Sequence, residues 1–380
     1  MILKNGAVFC DDFVFRKMDI TTTDDTICAL GDVSDQEGQE ILDVSDCYVV
    51  PGLVDIHIHG AMGADFSDGT PESVHTIAQF LLQNGTTSFL GTTMAFPEAM
   101  LFAICSAVRP LVNQTIPGQA VLRGIHLEGP FFSQEKRGAQ NPAYIIPADF
   151  TLFSRLYEAS GESVRTLAIA PEAEGALDFI QQAASLCAIS LAHTAADYDT
   201  AMEAFSLGAN HVTHLFNGMT PFTHREPGVV GAAFDSKAYV ELITDGVHIH
   251  PSVVRTTFQL FGDEQVCLIS DAICACGMAD GQYELGGQAI TVSGNMSTLA
   301  GESLAGSVTT LADCMRTAIS FGIPFEQALR AATYNPAKSI GIDNQVGSLT
   351  PGKRADLLVL NSDYTLKHVI CGGVLQDSHR

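Results

Sequence analysis

Pro51-Gly-Leu-Val-Asp-Ile-His-Ile-His-Gly60 is an apolar run that ends in two histidines one residue apart. Alternate residues of a β-strand project to one face with Cβ atoms roughly 6.5–7 Å apart, so His57 and His59 can reach one metal ion together. A His-x-His pair is also a common half-exposed surface pattern. What separates the two readings is whether similar residues recur at matching places along the chain.

They recur. From residue 53 to residue 273 one unit repeats: a short β-branched run ending in polar residues, followed by helical spacing. The runs are Leu53–His59, Thr86–Met94, Arg123–Glu128, Val164–Glu172, Cys187–His193, Ala209–Asn217, Tyr239–His248 and Val266–Asp271. Between them, Pro71–Asn84 carries Val74, Ile77, Ala78, Leu81 and Leu82 on one helical stripe, with Gly85 as its stop. Asp197–Leu207, stopped by Gly208, and Ser307–Phe321 read the same way. Eight β/α units predict an α/β fold, a (β/α)8 TIM barrel, whose active site forms where the C-terminal strand ends converge.

The residues at those ends are His57 and His59 (strand 1), Glu128 (strand 3), His193 (strand 5), His214 (strand 6), His248 (strand 7) and Asp271 (strand 8). Any one histidine here reads equally well as a satisfied core residue. Seven ligand or acid/base residues at the ends of six strands exceed what packing requires. His126 shares the face of Glu128 but one layer deeper, which predicts a supporting or core role. His211 should face the other way from His214.

Both ends of the chain fall outside the repeat. Residues 1–50 carry strands near Ile2–Val8, Phe13–Ile20, Ile27–Leu30 and Tyr48–Val50. Residues 345–380 carry Leu357–Leu360, Thr365–Ile370 and Val374–Leu375. The two sets predict one small β-sandwich domain (1–50 plus 345–380) beside a barrel domain (51–344). Gln282–Leu285 and Ala289–Val292, flanking Gly286-Gly287, predict a hairpin over the barrel mouth.

With 19 Lys+Arg against 43 Asp+Glu the net charge is −24, which argues against nucleic acid or an anionic membrane as partner. Ten cysteines without regular spacing, and no leader read ahead of the first strand, predict reduced thiols in the cytoplasm. No apolar run approaches the ~20 residues of a membrane helix.

Several motifs are more selective in combination: His126-Leu-Glu-Gly-Pro130, Gly138-Ala-Gln-Asn-Pro142, Leu191-Ala-His-Thr194, His214-Leu-Phe-Asn-Gly-Met219, Arg225-Glu-Pro-Gly228, Thr244-Asp-Gly-Val-His248, Ser270-Asp-Ala272 and the closing Gly347-Ser-Leu-Thr-Pro-Gly-Lys-Arg-Ala-Asp-Leu-Leu-Val-Leu360. In these the whole chain resembles the N-acetylglucosamine-6-phosphate deacetylases of the amidohydrolase superfamily. The resemblance implies metal-dependent hydrolysis of the N-acetyl group of N-acetylglucosamine 6-phosphate, giving glucosamine 6-phosphate and acetate. It implies Glu128, His193 and His214 as metal ligands, Asp271 as catalytic acid/base at the metal, and His57 and His59 as ligands of a second metal present in some members. Glu128 would bridge two ions, consistent with the absence of a lysine at the end of strand 4, Ala170-Pro171-Glu172. One or two divalent ions per chain follow, zinc first, with iron, manganese or cobalt also suited to these ligands.

For the amino sugar phosphate itself the resemblance implies contacts from Ala139, Gln140, Asn217, Gly218, Arg225, His248 and Ile273. Gln140 stands where some members carry a histidine near the phosphate. His248 would bond the substrate carbonyl or the developing oxyanion. Arg225 would reach the neighbouring subunit's active site, which implies a homodimer. The galactosamine epimer, or another amide, is the alternative substrate. A non-catalytic scaffold is disfavoured because every ligand and Asp271 are present. Cys274-Ala-Cys276, after strand 8, is read as packing.

Overall fold

The computed structural model describes residues 1–32, 40–299 and 303–376. Residues 33–39 and 377–380, which belong to the predicted small domain, lie outside the described residues. All eight predicted runs become parallel strands of one sheet: Leu53–Ile58, Thr86–Thr92, Val121–Glu128, Val164–Ile169, Ala188–Leu191, His211–Val212, Tyr239–Ile243 and Val266–Ile269. Each pairs with the next in sequence, the order of a TIM barrel.

Two runs end five residues earlier than expected. Strand 6 stops at Val212 and strand 7 at Ile243, because the chain turns into left-handed backbone at His214 (φ 30°), Phe216 (φ 76°) and Gly246 (φ 81°). Those turns swing the ends of the runs across the mouth of the barrel.

Strands 1 and 8 share no continuous ladder among the described residues. Their seam is held by Asp271 N–H on the His57 carbonyl at 3.0 Å and His59 N–H on the Ala272 carbonyl at 2.8 Å. Deeper down, the buried Asp55 carboxylate accepts from the Ser270 and His57 amides, each at 3.3 Å. The barrel is therefore closed by the segments that carry its candidate ligands.

The helices form where caps and spacing agree. Pro71–Gln83 starts at Thr70, whose side chain accepts from Ser73 N–H, with Pro71 in the first turn. It buries Val74, Ile77, Ala78, Leu81 and Leu82, and the larger of these gain roughly 1.5–3 kcal/mol each over exposure. The Ser307–Phe321 stretch becomes helical only at Leu311–Ser320. Ser307 is used to brace strand 8, its hydroxyl donating to the Ser270 carbonyl and its N–H to the Asp271 carbonyl.

The terminal segments build one eight-stranded mixed sheet, joined where Leu357–Leu360 runs antiparallel to Tyr48–Pro51. At its far edge, Ile27 N–H donates to the Lys353 carbonyl and Gly352 N–H to the Ile27 carbonyl. The sheet thus curls back around a core of Leu3, Val8, Ile20, Ile27, Val49, Leu357 and Val359, giving a sandwich-like layer from a single sheet. The predicted hairpin is present as Gly281–Leu285 and Gln288–Ser293, and a third strand, Met296–Leu299, extends it.

Gly91, near the end of strand 2, is a contact that packing demands. A Cβ there would lie 2.0 Å from Cε2 of the fully buried Phe66 ring. Gly91→Ala is expected to cost about 1–3 kcal/mol, as overpacking does, read as a lower midpoint in urea unfolding. An unchanged midpoint would show that Phe66 has room to retreat.

Candidate metal centre

Glu128 ends strand 3, His193 follows strand 5 and His214 follows strand 6. His193 and His214 hold left-handed backbone, φ 43° and 30°, a strain of order 1–3 kcal/mol each for a non-glycine residue. It turns both rings toward the barrel axis. His193 Nε2 and His214 Nε2 each lie 3.2 Å from Glu128 Oε1, and 3.2 Å from one another.

The hydrogens on these rings are assignable from their partners. His193 Nδ1 faces the Lys136 carbonyl at 3.0 Å and His214 Nδ1 the Asn217 carbonyl at 3.2 Å, so each Nδ1 donates. In the neutral rings both Nε2 atoms then present lone pairs to each other and to a carboxylate. Three acceptors meet at 3.2 Å with no proton between them. Ligand atoms around a tetrahedral ion with bonds of about 2.0–2.1 Å stand about 3.3–3.4 Å apart. The donor set fits a divalent cation.

A second triangle adjoins the first. His57 Nε2 and His59 Nε2 are 3.3 Å apart, and each is 3.4 Å from Asp271 Oδ1, which also has left-handed backbone (φ 48°). Glu128 lies between the triangles, Oε1 3.7 Å from His57 Nε2 and Oε2 3.6 Å from His59 Nε2. All these side chains are buried.

Burial opposes a charge on His57, yet the Asp271, Glu241 and Glu128 carboxylates outweigh it and hold its pKa up at about 9. His59 also sits at about 9, burial again being overcome, here by Asp271 and Glu128. Conversely, burial would raise the Asp271 pKa, but His57, His59 and His214 bring it down to about 2. Glu128 lies well below the ordinary carboxylate range against the same burial, through the His193 and His214 rings beside it and the charge on His57. The site is built to hold positive charge, as protons or as metal.

The two triangles open into a cavity of about 340 Å³ that Ala139, Asn217, Gly218 and His248 also line. His248 lies five residues beyond the end of strand 7, its Nδ1 2.7 Å from Asp245 Oδ2, while Asp245 Oδ1 accepts from the Val247 and His248 amides. Gln140 is buried with both ends of its amide engaged: Oε1 accepts from Ala95 N–H at 2.8 Å, and Nε2 donates to Glu128 Oε2 at 2.7 Å. The inserted sheet covers the mouth, with Leu285 in the cavity wall and the Gln288 amide donating to the Ala139 carbonyl.

Of the residues expected at the substrate, Ile273 lies outside this chain's cavity wall, and Arg225, expected at the neighbouring subunit's site, lies away from its own. Ile273 is fully buried outside the cavity wall, packed where Gly306 leaves no room for a Cβ. Arg225 is exposed on the loop ahead of the Gly228–Ser236 helix, outside its own chain's cavity. His126 packs edge-to-face against His57, ring centroids 4.5 Å apart, and donates from Nδ1 to the Ile56 carbonyl, one layer below the ligands. His211 packs on Tyr239, away from the site. Cys274 and Cys276 are buried, with Cys274 Sγ donating to the Glu284 carbonyl.

Two carboxylates at the site went unread in the sequence. Asp245 orients His248. Glu241, in the middle of strand 7, accepts from His57 Nδ1 at 2.9 Å. Its signal was a lone carboxylate inside the apolar stretch Tyr-Val-Glu-Leu-Ile.

The amidohydrolase family model matches residues 48–375. The chain belongs to the amidohydrolase family. Among curated amidohydrolase relatives, the N-acetylglucosamine-6-phosphate deacetylase of Bacillus subtilis (strain 168) is 34% identical over 98% of this chain and 96% of its own length. The N-acetylgalactosamine-6-phosphate deacetylase of Escherichia coli O157:H7 is also 34% identical, over 86% of each chain. Among solved amidohydrolase structures, an N-acetyl-D-glucosamine-6-phosphate deacetylase mutant from Mycobacterium smegmatis in complex with N-acetyl-D-glucosamine-6-phosphate superposes with a TM-score of 0.92 at 32% identity, covering 99% of this chain and 98% of that one.

The raised pKa values set a pH dependence for metal uptake. In the metal-free protein the His57–His59 pair keeps a proton until the pH rises to about 9, and a metal at that pair must displace it. Occupancy of this half at fixed free metal is expected to climb from neutral pH to about pH 9 and then level off, as measured by metal per chain after equilibrium dialysis. A flat profile would contradict the shifts.

Proposed function

We propose that this amidohydrolase hydrolyses the N-acetyl group of N-acetylglucosamine 6-phosphate to glucosamine 6-phosphate and acetate. The observation that carries the reading is the convergence of Glu128, His193 and His214 lone pairs at 3.2 Å on the floor of a cavity that Asp271 also lines. Full-length relatives bearing that activity in their names support it.

Glu128, His193 and His214 would hold one divalent ion, and His57, His59 and Asp271, with Glu128 shared, a second. Zinc suits this nitrogen and carboxylate set best. When bound, such an ion supplies Lewis acidity toward the amide carbonyl and lowers the pKa of water. Asp271, ionised at neutral pH, takes the water's proton during attack and returns it to the departing amine. His248 donates from Nε2 to the developing oxyanion, with Asp245 on its Nδ1 balancing the charge. Gln140 fixes the orientation of the Glu128 carboxylate.

The phosphate needs a cation that the cavity lacks, since neither Lys nor Arg is among its described lining residues. We assign that role to Arg225 from the other subunit of a homodimer, for which its exposure on the 220–227 loop leaves it free. The barrel of residues 51–344 then carries the chemistry of its own chain, since none of the described lining residues comes from 1–50 or 345–380. No helix among the described residues is long and apolar enough to cross a membrane. Ten free cysteines favour a reducing compartment, the cytoplasm.

Acetate release from both epimeric N-acetyl-hexosamine 6-phosphates and from unphosphorylated N-acetylglucosamine tests the assignment. The glucosamine phosphate is expected to give the highest kcat/KM, and preference for the galactosamine epimer would replace it as substrate. Asp271→Asn should lower kcat by roughly 10²–10⁴-fold while the ion at Glu128, His193 and His214 stays bound. Near-normal turnover would remove Asp271 from the mechanism. Arg225→Ala should raise KM for the phosphorylated sugar much more than for the unphosphorylated one, and equal effects would refute the phosphate role.

A further inference from the structure

The two triangles are oriented by different means. His193 and His214 direct their Nδ1 hydrogens to the backbone carbonyls of Lys136 and Asn217. His57 has no such carbonyl at Nδ1. Its partner there is the carboxylate of Glu241, fully buried inside the barrel and the only charged residue of its strand. The same Oε2 accepts from the His214 N–H at 3.3 Å, while Oε1 has no partner. His59 Nδ1 is likewise without one, so within the His-x-His pair only His57 is held by an acceptor.

A carboxylate this deep is retained at the expense of its hydration, and packing alone would favour an apolar side chain of the same size. Its effect falls on one atom. For His57 Nε2 to offer a lone pair toward His59, Asp271 and Glu128, its ring hydrogen must reside on Nδ1, at a depth where only a buried acceptor can stabilise it. An acceptor at Nδ1 also makes Nε2 a stronger electron donor. The charge count agrees: Glu128 serves the first triangle, and a second divalent ion finds the carboxylates of Asp271 and Glu241 against the His57 ring.

We infer that Glu241 is the positioning residue that turns the His57 half of the site into a metal position, while the Glu128–His193–His214 half stands without it. His214 keeps its own anchors in that case, its carbonyl accepting from the Asn217 N–H and its Nδ1 donating to the Asn217 carbonyl. The inference rests on the metal-dependent reading above. Whether the chain holds one ion or two then depends on a residue that touches neither ion nor substrate.

The test is metal retained per chain when holoenzyme is equilibrated against a graded series of chelator, for wild type and Glu241→Gln, which keeps the shape and removes the charge. Wild type should give up two ions in two steps. In E241Q the weaker step should move by roughly 10–100-fold, as outer-sphere partners of ligands do, and the tighter step should not move. A wild type with a single ion overturns the inference, as do an E241Q that keeps both steps and a folded E241Q that loses both together. Should E241Q fail to fold, ¹⁵N-histidine NMR of the two-metal wild type reads the same point: His57 is expected as the Nδ1–H tautomer, and Nε2–H overturns it. None of these readouts uses acetate release, so a chain that binds two metals yet deacetylates nothing would refute the proposed substrate and leave Glu241 in place.

Discussion

Imidazole nitrogens and carboxylate oxygens that converge at contact distance, and so demand a proton or a metal between them, are the constraint on which the rest of this structure depends. Glu128 Oε1 with the Nε2 atoms of His193 and His214, and Asp271 Oδ1 with those of His57 and His59, form two acceptor clusters sharing one carboxylate. Such an arrangement repels itself unless cations enter, and the protein devotes much of its framework to holding it. Left-handed backbone at His193, His214 and Asp271, the Gln140 amide on Glu128 and the His126 ring under His57 all serve that end. Even the closure of the barrel does so, because the seam between strands 1 and 8 is joined through the backbone of His57, His59 and Asp271. Stability of the fold and geometry of the site are here the same set of bonds.

Charge is distributed on two scales. The chain as a whole is strongly acidic, at −24, so its general field repels a phosphorylated sugar. The cavity must answer that locally, and among its described lining residues only imidazoles can become cationic. A site rich in metal-binding groups but poor in phosphate-binding ones leaves the phosphate to be met by a cation from outside the cavity lining.

The eight strands and the cluster of side chains that converges at the cavity were legible because both rest on local pattern: β-branched runs, helical stripes with caps, and histidine and carboxylate residues recurring at run ends. His126 was set one layer below Glu128 and His211 on the face opposite His214, and the structure puts the first ring against His57 and the second against Tyr239. Alternation fails inside a parallel barrel, whose strands are buried on both faces, and Glu241 was hidden there in an apolar stretch. Gln140 was expected at the phosphate, and only three dimensions reveal Ala95 N–H and Glu128 as its partners. Ile273 follows the Asp271 motif closely in sequence, yet the chain turns its side chain into the core. The strand Met296–Leu299, with its weak Met-Ser-Thr-Leu pattern, and the way the terminal sheet curls on itself depend on pairing between distant segments, which no window of sequence contains.

That last pairing bears on how the molecule is made. Tyr48–Pro51 leaves the ribosome before the barrel and its partner Leu357–Leu360 after it. Throughout synthesis of the barrel, the N-terminal strands therefore carry an open hydrogen-bonding edge and one uncovered side of their core, the kind of edge that recruits foreign strands. The nascent chain is exposed to mispairing for as long as the barrel is being made, and the strands that follow the barrel end that exposure by clasping both of its ends into one sheet.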